Sequence, residues 1–200
     1  VAFESYATNL VAGDTNSVTD IFVHDRQTGE TTRVSVRSDG AQGNSSSYNA
    51  RISADGRYVA FDSWAANLVA NDTNNWQDVF FHNRQTGETT RASVGTGNIQ
   101  GNSDSEYPCI SADGRYVAFQ SYASNLVAGD TNNADIFVVS WRNPALSYSP
   151  ASIDLGSRYQ GSATSQTLQV WNAGTGTLCY SLSENSTWCS VTPSSGDSSG

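Results

Sequence analysis

A loop that places two carboxylates and an amide within seven residues opens the search for chemistry in this 200-residue chain. Asp14, Asn16 and Asp20 return as Asp72, Asn74 and Asp78, and again, with one residue lost, as Asp130, Asn132 and Asp135. Hard oxygen donors at alternating positions of a tight turn converge on one centre, and calcium is the cation that such loops take. No cofactor is expected beyond calcium, the one ion that these residues could take. Against it, each loop offers about three side chains where calcium wants six to eight oxygens, and none ends in a bidentate glutamate. The alternative is an Asx turn, in which Asp14 and Asn16 bond nearby backbone amides and Asp20 buttresses the entry to a strand.

A second recurrence is aromatic. Tyr6, Trp64 and Tyr122 share one repeat position, and Trp76 lies in the adjacent long loop. Aromatic faces stack on the apolar C–H face of a sugar ring, so these four side chains form either a glycan-binding rim or packing between neighbouring repeats. His24 and His82 also occupy equivalent positions, where the third copy has Val139, which suits strand packing better than a catalytic triad. No Gly-x-Ser-x-Gly elbow accompanies the many serines. No catalytic residue is therefore expected, and the chain reads as not an enzyme. Arg26, Arg33, Arg84 and Arg91 recur as well and are expected to pair with acidic residues on the repeat surfaces.

Three cysteines show no zinc-binding spacing. Cys179 and Cys189 stand symmetrically about Glu184, so a hairpin there would let the sulfurs meet. A disulfide between them fits an exported protein; two free thiols in a core are the alternative, and Cys109 stays unpaired in either case.

The elements that must position these residues come from a strict internal repeat. Val-Ala-Phe at positions 1, 59 and 117 sets a period of 58, and residues 1–58 match 59–116 at 37 positions, including the unbroken run from Arg26 to Arg33. Within one unit the patterning is that of strands. Residues 57–63 and 78–83 are short β-prone runs, and Thr89 to Val94 alternates cleanly. Tyr107 to Ile110 supplies a fourth, short strand. Tight turns at Gln85-Thr86-Gly87-Glu88 and Ser111-Ala112-Asp113-Gly114 separate them. Four antiparallel strands per tandem unit is the sequence shape of a propeller blade.

Ile-Ser-Ala-Asp-Gly-Arg-Tyr-Val-Ala-Phe at 52–61 and 110–119, followed by Asp-(Ile/Val)-Phe and Gln-Thr-Gly, resembles the TolB-like, WD-repeat-like propeller family. The resemblance covers roughly residues 1–142 and implies blades built from two such hairpins. At 58 residues the repeat exceeds the ~40–45 of ordinary WD-type blades, the surplus lying in the 65–77 and 95–106 loops. Propellers close with roughly four to eight blades. Two full units and part of a third therefore read as an incomplete propeller, a piece of a longer polypeptide.

After Pro144 no repeat motif returns, and the sequence turns rich in Ser, Thr and Gly. Residues 146–149, 166–171, 177–182 and 187–191 alternate as half-buried sandwich strands do. The pattern Leu-Ser-x-Ser-Pro, Gln-Thr-Leu, Asn-x-Gly-Thr-Gly-Thr-Leu and Trp-x-Ser-Val-x-Pro-Ser-Ser-Gly resembles Ig-like modules of the BACON and related bacterial surface type. Such sandwiches need about 100 residues, so 144–200 is expected to be a partial one. The expected fold is all-β: propeller blades over 1–143, then a partial Ig-like sandwich.

A net charge of −9, with every basic residue an arginine, argues against non-specific binding to nucleic acid. No stretch approaches the ~20 apolar residues of a membrane-spanning helix, so no membrane insertion is expected. The function these features imply is a non-catalytic scaffold for a protein or carbohydrate ligand, extracellular, on the cell surface or periplasmic. The alternative is an accessory propeller of a larger hydrolase or polysaccharide lyase.

Overall fold

The computed structural model describes residues 1–131, 133–140, 146–149, 167, 169–172, 177–181 and 195–199. The chain divides into two compact units, Val1–Ser140 and Trp141–Gly200, and every described element is a β-strand.

In the first unit the 58-residue repeat becomes three antiparallel sheets. The first holds β1 (Ala2–Ser5), β2 (Asp20–His24) and β3 (Thr31–Arg33), in that order. The second is a complete blade of β4 (Ser47–Ile52), β5 (Tyr58–Ser63), β6 (Asp78–Asn83) and β7 (Glu88–Arg91). A two-residue ladder of β8 (Val94–Gly95) with β9 (Ile99–Gln100) decorates the surplus loop, and the third sheet follows as β10 (Ser105–Ile110), β11 (Tyr116–Ser121) and β12 (Asp135–Ser140).

The strands form where the sequence sets β-branched and aromatic residues between turn residues, and the turns repeat with the strands. Ser53 and Ser111 each close a turn by accepting the amide of Tyr58 or Tyr116 at Oγ, both at 3.0 Å, while Gly56 and Gly114 take φ +70°. Only glycine adopts that conformation without cost. Each blade stacks one phenylalanine pair across the same two strands: Phe3 on Phe22, Phe61 on Phe80 and Phe119 on Phe137, with centroids 5.8, 5.9 and 5.8 Å apart.

The core between the first and second blades packs Ile21, Val23 and Val34 against Val59, Phe61, Phe80, Ala65 and Leu68. Lying between two neighbours, β6 is buried on both faces along its whole length. Its counterpart β12 alternates half-buried and exposed, leaving Ile136 71% and Val138 66% exposed.

Strand β10 is longer than its short sequence signal, and it is bulged. Ser105 and Glu106 pair with Ser121 and Gln120, then the register shifts before Cys109 and Ile110. Tyr107 sits in the bulge at φ +54°, as Asn49 does at +57° in β4. A bulge inserts an unpaired residue and re-aims its amide.

In the second unit β13 (Leu146–Ser149) pairs with β14 (Gln169–Asn172), and β15 (Thr177–Ser181) with β16 (Ser195–Ser199). The expected strand at 187–191 lies outside the described residues. Nothing in Ser195-Gly196-Asp197-Ser198-Ser199 has β propensity, so its role as a strand comes from pairing with β15.

Candidate functional site

The Asp-Thr-Asn loops are built around arginine. Arg33, from β3, reaches back across its own sheet to place Nη1 3.0 Å from Asp14 Oδ1 and 3.3 Å from Asp20 Oδ2. The second copy repeats this, with Arg91 Nη1 2.9 Å from Asp72 and 3.0 Å from Asp78. Asn16 and Asn74 each donate from Nδ2 to the buried aspartate, at 2.9 and 3.0 Å, and to the carbonyl of Gly43 or Gly101, both at 3.1 Å. Ser35 and Ser93 donate to the other oxygen of Asp20 and Asp78. Gln42 and Gln100 complete each cluster by accepting from the guanidinium at 3.0 and 3.2 Å.

A buried carboxylate without a countercharge would be costly, and the guanidinium supplies that charge together with a fork of donors. Burial pushes the Asp72 carboxyl above its ordinary range, opposed by the charge of Arg91. In the first two loops the guanidinium stands at the centre on which the carboxylates converge. Among the described residues no group of three or more His, Cys, Asp or Glu is disposed to hold a metal. In the third loop Asp130 and Asp135 are described, while Asn132 lies outside the described residues. Arg33 and Arg91 also depart from the expected surface pairs, with side chains only 10% and 7% exposed.

The four aromatics behave differently. Tyr6, Trp64, Trp76 and Tyr122 are all between 42% and 65% exposed, so they do not fill the contact between blades. Tyr6, Trp64 and Tyr122 each follow the last residue of β1, β5 or β11. The backbone fixes two of them there, Trp64 N donating to Ser46 O at 3.0 Å and Tyr122 N to Asp104 O at 2.9 Å. Tyr122 Oη in turn accepts from Gln120 Nε2 at 2.9 Å. The repeat thus sets one solvent-facing ring at the same corner of each blade, with Trp76 in the loop that follows β5.

The histidines are strand residues. Nδ1 of His24 lies 3.0 Å from Thr31 Oγ1, and that of His82 lies 2.8 Å from Thr89 Oγ1. Burial, with a smaller contribution from the nearby Arg84 charge, drives His82 down to about 4. Cys109 is a free, exposed thiol. Cys189 lies outside the described residues, and the cross-strand partner of Cys179 is Asp197.

Sequence reasoning missed a buried carboxylate that joins two blades. Asp62 of β5 accepts Asn49 Nδ2 at 2.8 Å, Gln77 Nε2 at 2.8 Å and, from the third blade, the bulge amide of Tyr107 at 2.9 Å. Burial pushes its carboxyl up to about 6, against the lowering effect of those three donors. One blade earlier, Glu4 accepts the bulge amide of Asn49 at 2.9 Å. The recurrence of Glu4, Asp62 and Gln120 at one repeat position was the signal that could have found it.

Residues 145–200 match the family model of the viral BACON domain. Solved structures similar to this chain include a putative TolB from Agrobacterium tumefaciens, 17% identical over 63% of this chain and 39% of that one, with a TM-score of 0.39. The tricorn protease is 19% identical over 74% of this chain and 14% of its own, with a TM-score of 0.40. TolB from Acinetobacter baumannii is 17% identical over 61% and 24%, with a TM-score of 0.36. The chain spans at most 39% of the length of these three structures. No curated protein matches it. On its own strands and on that family match, the chain joins tandem antiparallel blades of the propeller kind to a segment that resembles a viral BACON domain.

Proposed function

We propose that this chain is a non-catalytic, exported binding scaffold that offers one aromatic ring per blade to a carbohydrate ligand. The observation that carries this reading is the exposure of Tyr6, Trp64 and Tyr122 at a single repeat position, with Trp76 beside them in sequence. Large apolar side chains held in solvent by a rigid sheet corner give up little conformational freedom on binding, and their faces suit the C–H face of a pyranose. In the first two repeats the Asp-Thr-Asn loop side chains are committed to arginine, serine and backbone partners, whereas the rings stay open to solvent.

The rest of the chain supports a scaffold over an enzyme. Both histidines are bonded to threonines inside sheets, and the aspartates of the first two loops are neutralised by arginine. The BACON-like segment supports export to a cell surface, the periplasm or the medium.

Tryptophan fluorescence, titrated with a panel of soluble polysaccharides, tests the reading. A saturable change that is lost in Trp64→Ala, with the melting temperature unaltered, is expected. Binding that survives alanine at Tyr6, Trp64, Trp76 and Tyr122 together would place the ligand elsewhere and overturn it.

A further inference from the structure

Each ring has a polar companion two residues earlier in the chain. Glu4 precedes Tyr6, Asp62 precedes Trp64 and Gln120 precedes Tyr122, and residues two apart on a strand project from the same face. In the third blade the two touch, through the bond from Gln120 Nε2 to Tyr122 Oη. In the first two blades the companion is a carboxylate that accepts the bulge amide of the following blade, so ring and charge lie on the side turned toward that blade. Both following blades are described, and the rings stay open beside them: Tyr6 is 65% exposed and Trp64 44%. The ladder of β5 with β6 ends at Ser63 opposite Asp78, so Trp64 and Trp76 leave the second blade at the same end.

That end of the blades is acidic. Asp104 and Glu106, both half-buried, stand at the entry to β10, where Asp104 Oδ1 accepts the amide of Gln77 at 3.0 Å. The charge of Glu106 acts on Asp62, and that of Asp104 on Glu106. Arg33 and Arg91 reach this end, but each lies between two aspartates. Arg57 and Arg115 precede β5 and β11 at the opposite end, and Arg84 follows Asn83, the cross-strand partner of Tyr58. The rings therefore project from a surface whose carboxylates outnumber its guanidinium groups.

Building on the reading of the rings as a carbohydrate site, we propose that their ligand is an uncharged linear glycan long enough to lie on Tyr6 and Trp64 together, and that acidic glycans are turned away. Sheets packed face to face stand about 10 Å apart, so rings on adjacent blades are separated by more than a single pyranose covers. One sugar meets one ring, whereas a chain meets the second ring at the high effective concentration set by its contact with the first. Trp64, with Trp76 leaving the same end of its blade, offers the larger apolar surface and anchors the chain, and Tyr6 extends the contact by one blade. A carboxylated or sulfated chain laid along the same path would face Glu4, Asp104 and Glu106 with like charge, which opposes binding.

Tryptophan fluorescence of the full chain, titrated with glucose, mannose and N-acetylglucosamine, with their 1,4-linked hexamers and with hexagalacturonate, tests this. A neutral hexamer is expected to bind about a hundredfold more tightly than its own monomer, and Tyr6→Ala should remove most of that gain while leaving the monomer's affinity unchanged. Hexagalacturonate should bind at least about tenfold more weakly than the neutral hexamer, with the gap narrowing in added salt and in Glu4→Gln/Glu106→Gln. Melting temperatures confirm that the variants fold, and Tyr6→Ser replaces the alanine variant if it does not. Equal affinity for monomer and hexamer, a hexamer affinity untouched by Tyr6→Ala, or hexagalacturonate bound as tightly as the neutral chain would each overturn the inference. If any of these occurs while Trp64→Ala still abolishes binding, the ring site stands and only this inference falls; binding of none of these sugars, or binding indifferent to Trp64→Ala, overturns both.

Discussion

The second and third blades have nearly the same strand sequences and very different surroundings. Val79 and Phe81 of β6 are buried, whereas their counterparts Ile136 and Val138 of β12 are open. The strands pair in the same register with their inner partners, Phe80 opposite Phe61 and Phe137 opposite Phe119. A blade therefore takes its hydrogen-bonded form from its own sequence, while its burial comes from the blade that follows. Residue type alone does not distinguish a core position from a surface one in such a repeat.

That contrast is sharpest in side-chain truncation. Phe81→Ala is expected to cost about 3 to 5 kcal/mol, as for other buried phenylalanines, while Val138→Ala at the equivalent site should stay within about 0.5 kcal/mol. Chemical denaturation of the two variants measures both. Similar losses would mean that β12 is covered in solution.

The arginine clusters extend the comparison to charge. Arg91→Ala leaves Asp78 buried with no countercharge and should cost about 3 to 5 kcal/mol. Arg33, in the first blade, holds its aspartates at longer distances and is slightly more exposed, so Arg33→Ala should cost less. The reverse order, read from denaturation midpoints, would sever the link between burial and the guanidinium.

Two buried titrations in the second blade work in opposite directions. Asp62 is raised to about 6, so its contribution to stability is full below its unfolded value of 3.8 and is lost as pH climbs through 6. Glu106, raised by burial and by Asp104, adds to the same trend. His82 is lowered from 6.5 to about 4, so its contribution is full above 6.5 and is lost as pH falls through 4. Each amounts to about 3 kcal/mol at most, and between pH 4 and 6 they largely cancel. Asp62→Asn should therefore make stability rise with pH across that window, and His82→Gln should make it fall. A steep wild-type profile with unchanged slopes in both variants would refute the pairing.

The smallest effect concerns calcium. With Arg33 and Arg91 on the loop carboxylates, the melting temperature in millimolar calcium should equal that in EDTA. A rise of several degrees would instead reveal a bound ion that stabilises by mass action.

The blades were legible in the sequence because their evidence is local. β5 and β6 follow from β-prone runs bounded by turns, and the period aligns the copies. The roles of the polar residues were not legible, because their partners are distant in the chain. Arg33 meets Asp14 from 19 positions away, and Asp62 meets Tyr107 from 45. A cluster of Asp and Asn read alone looks like a set of metal ligands until the cation that answers it is located. The aromatic corner stayed open between two readings for a different reason: a large ring is apolar enough to be core, and only the course of the backbone after β5 puts Trp64 outside. β16 gave no signal, since serine, glycine and aspartate disfavour the conformation that the ladder imposes.

The bond from each bulge amide to the preceding blade also has a direction along the chain. Its acceptor always comes earlier in the chain: Glu4 before Asn49, Asp62 before Tyr107. A ribosome delivers the acceptor first, so the carboxylate is already in the chain when the strand that bends onto it emerges. A fault in one blade then deprives the next of its anchor and also uncovers the face of the one before it.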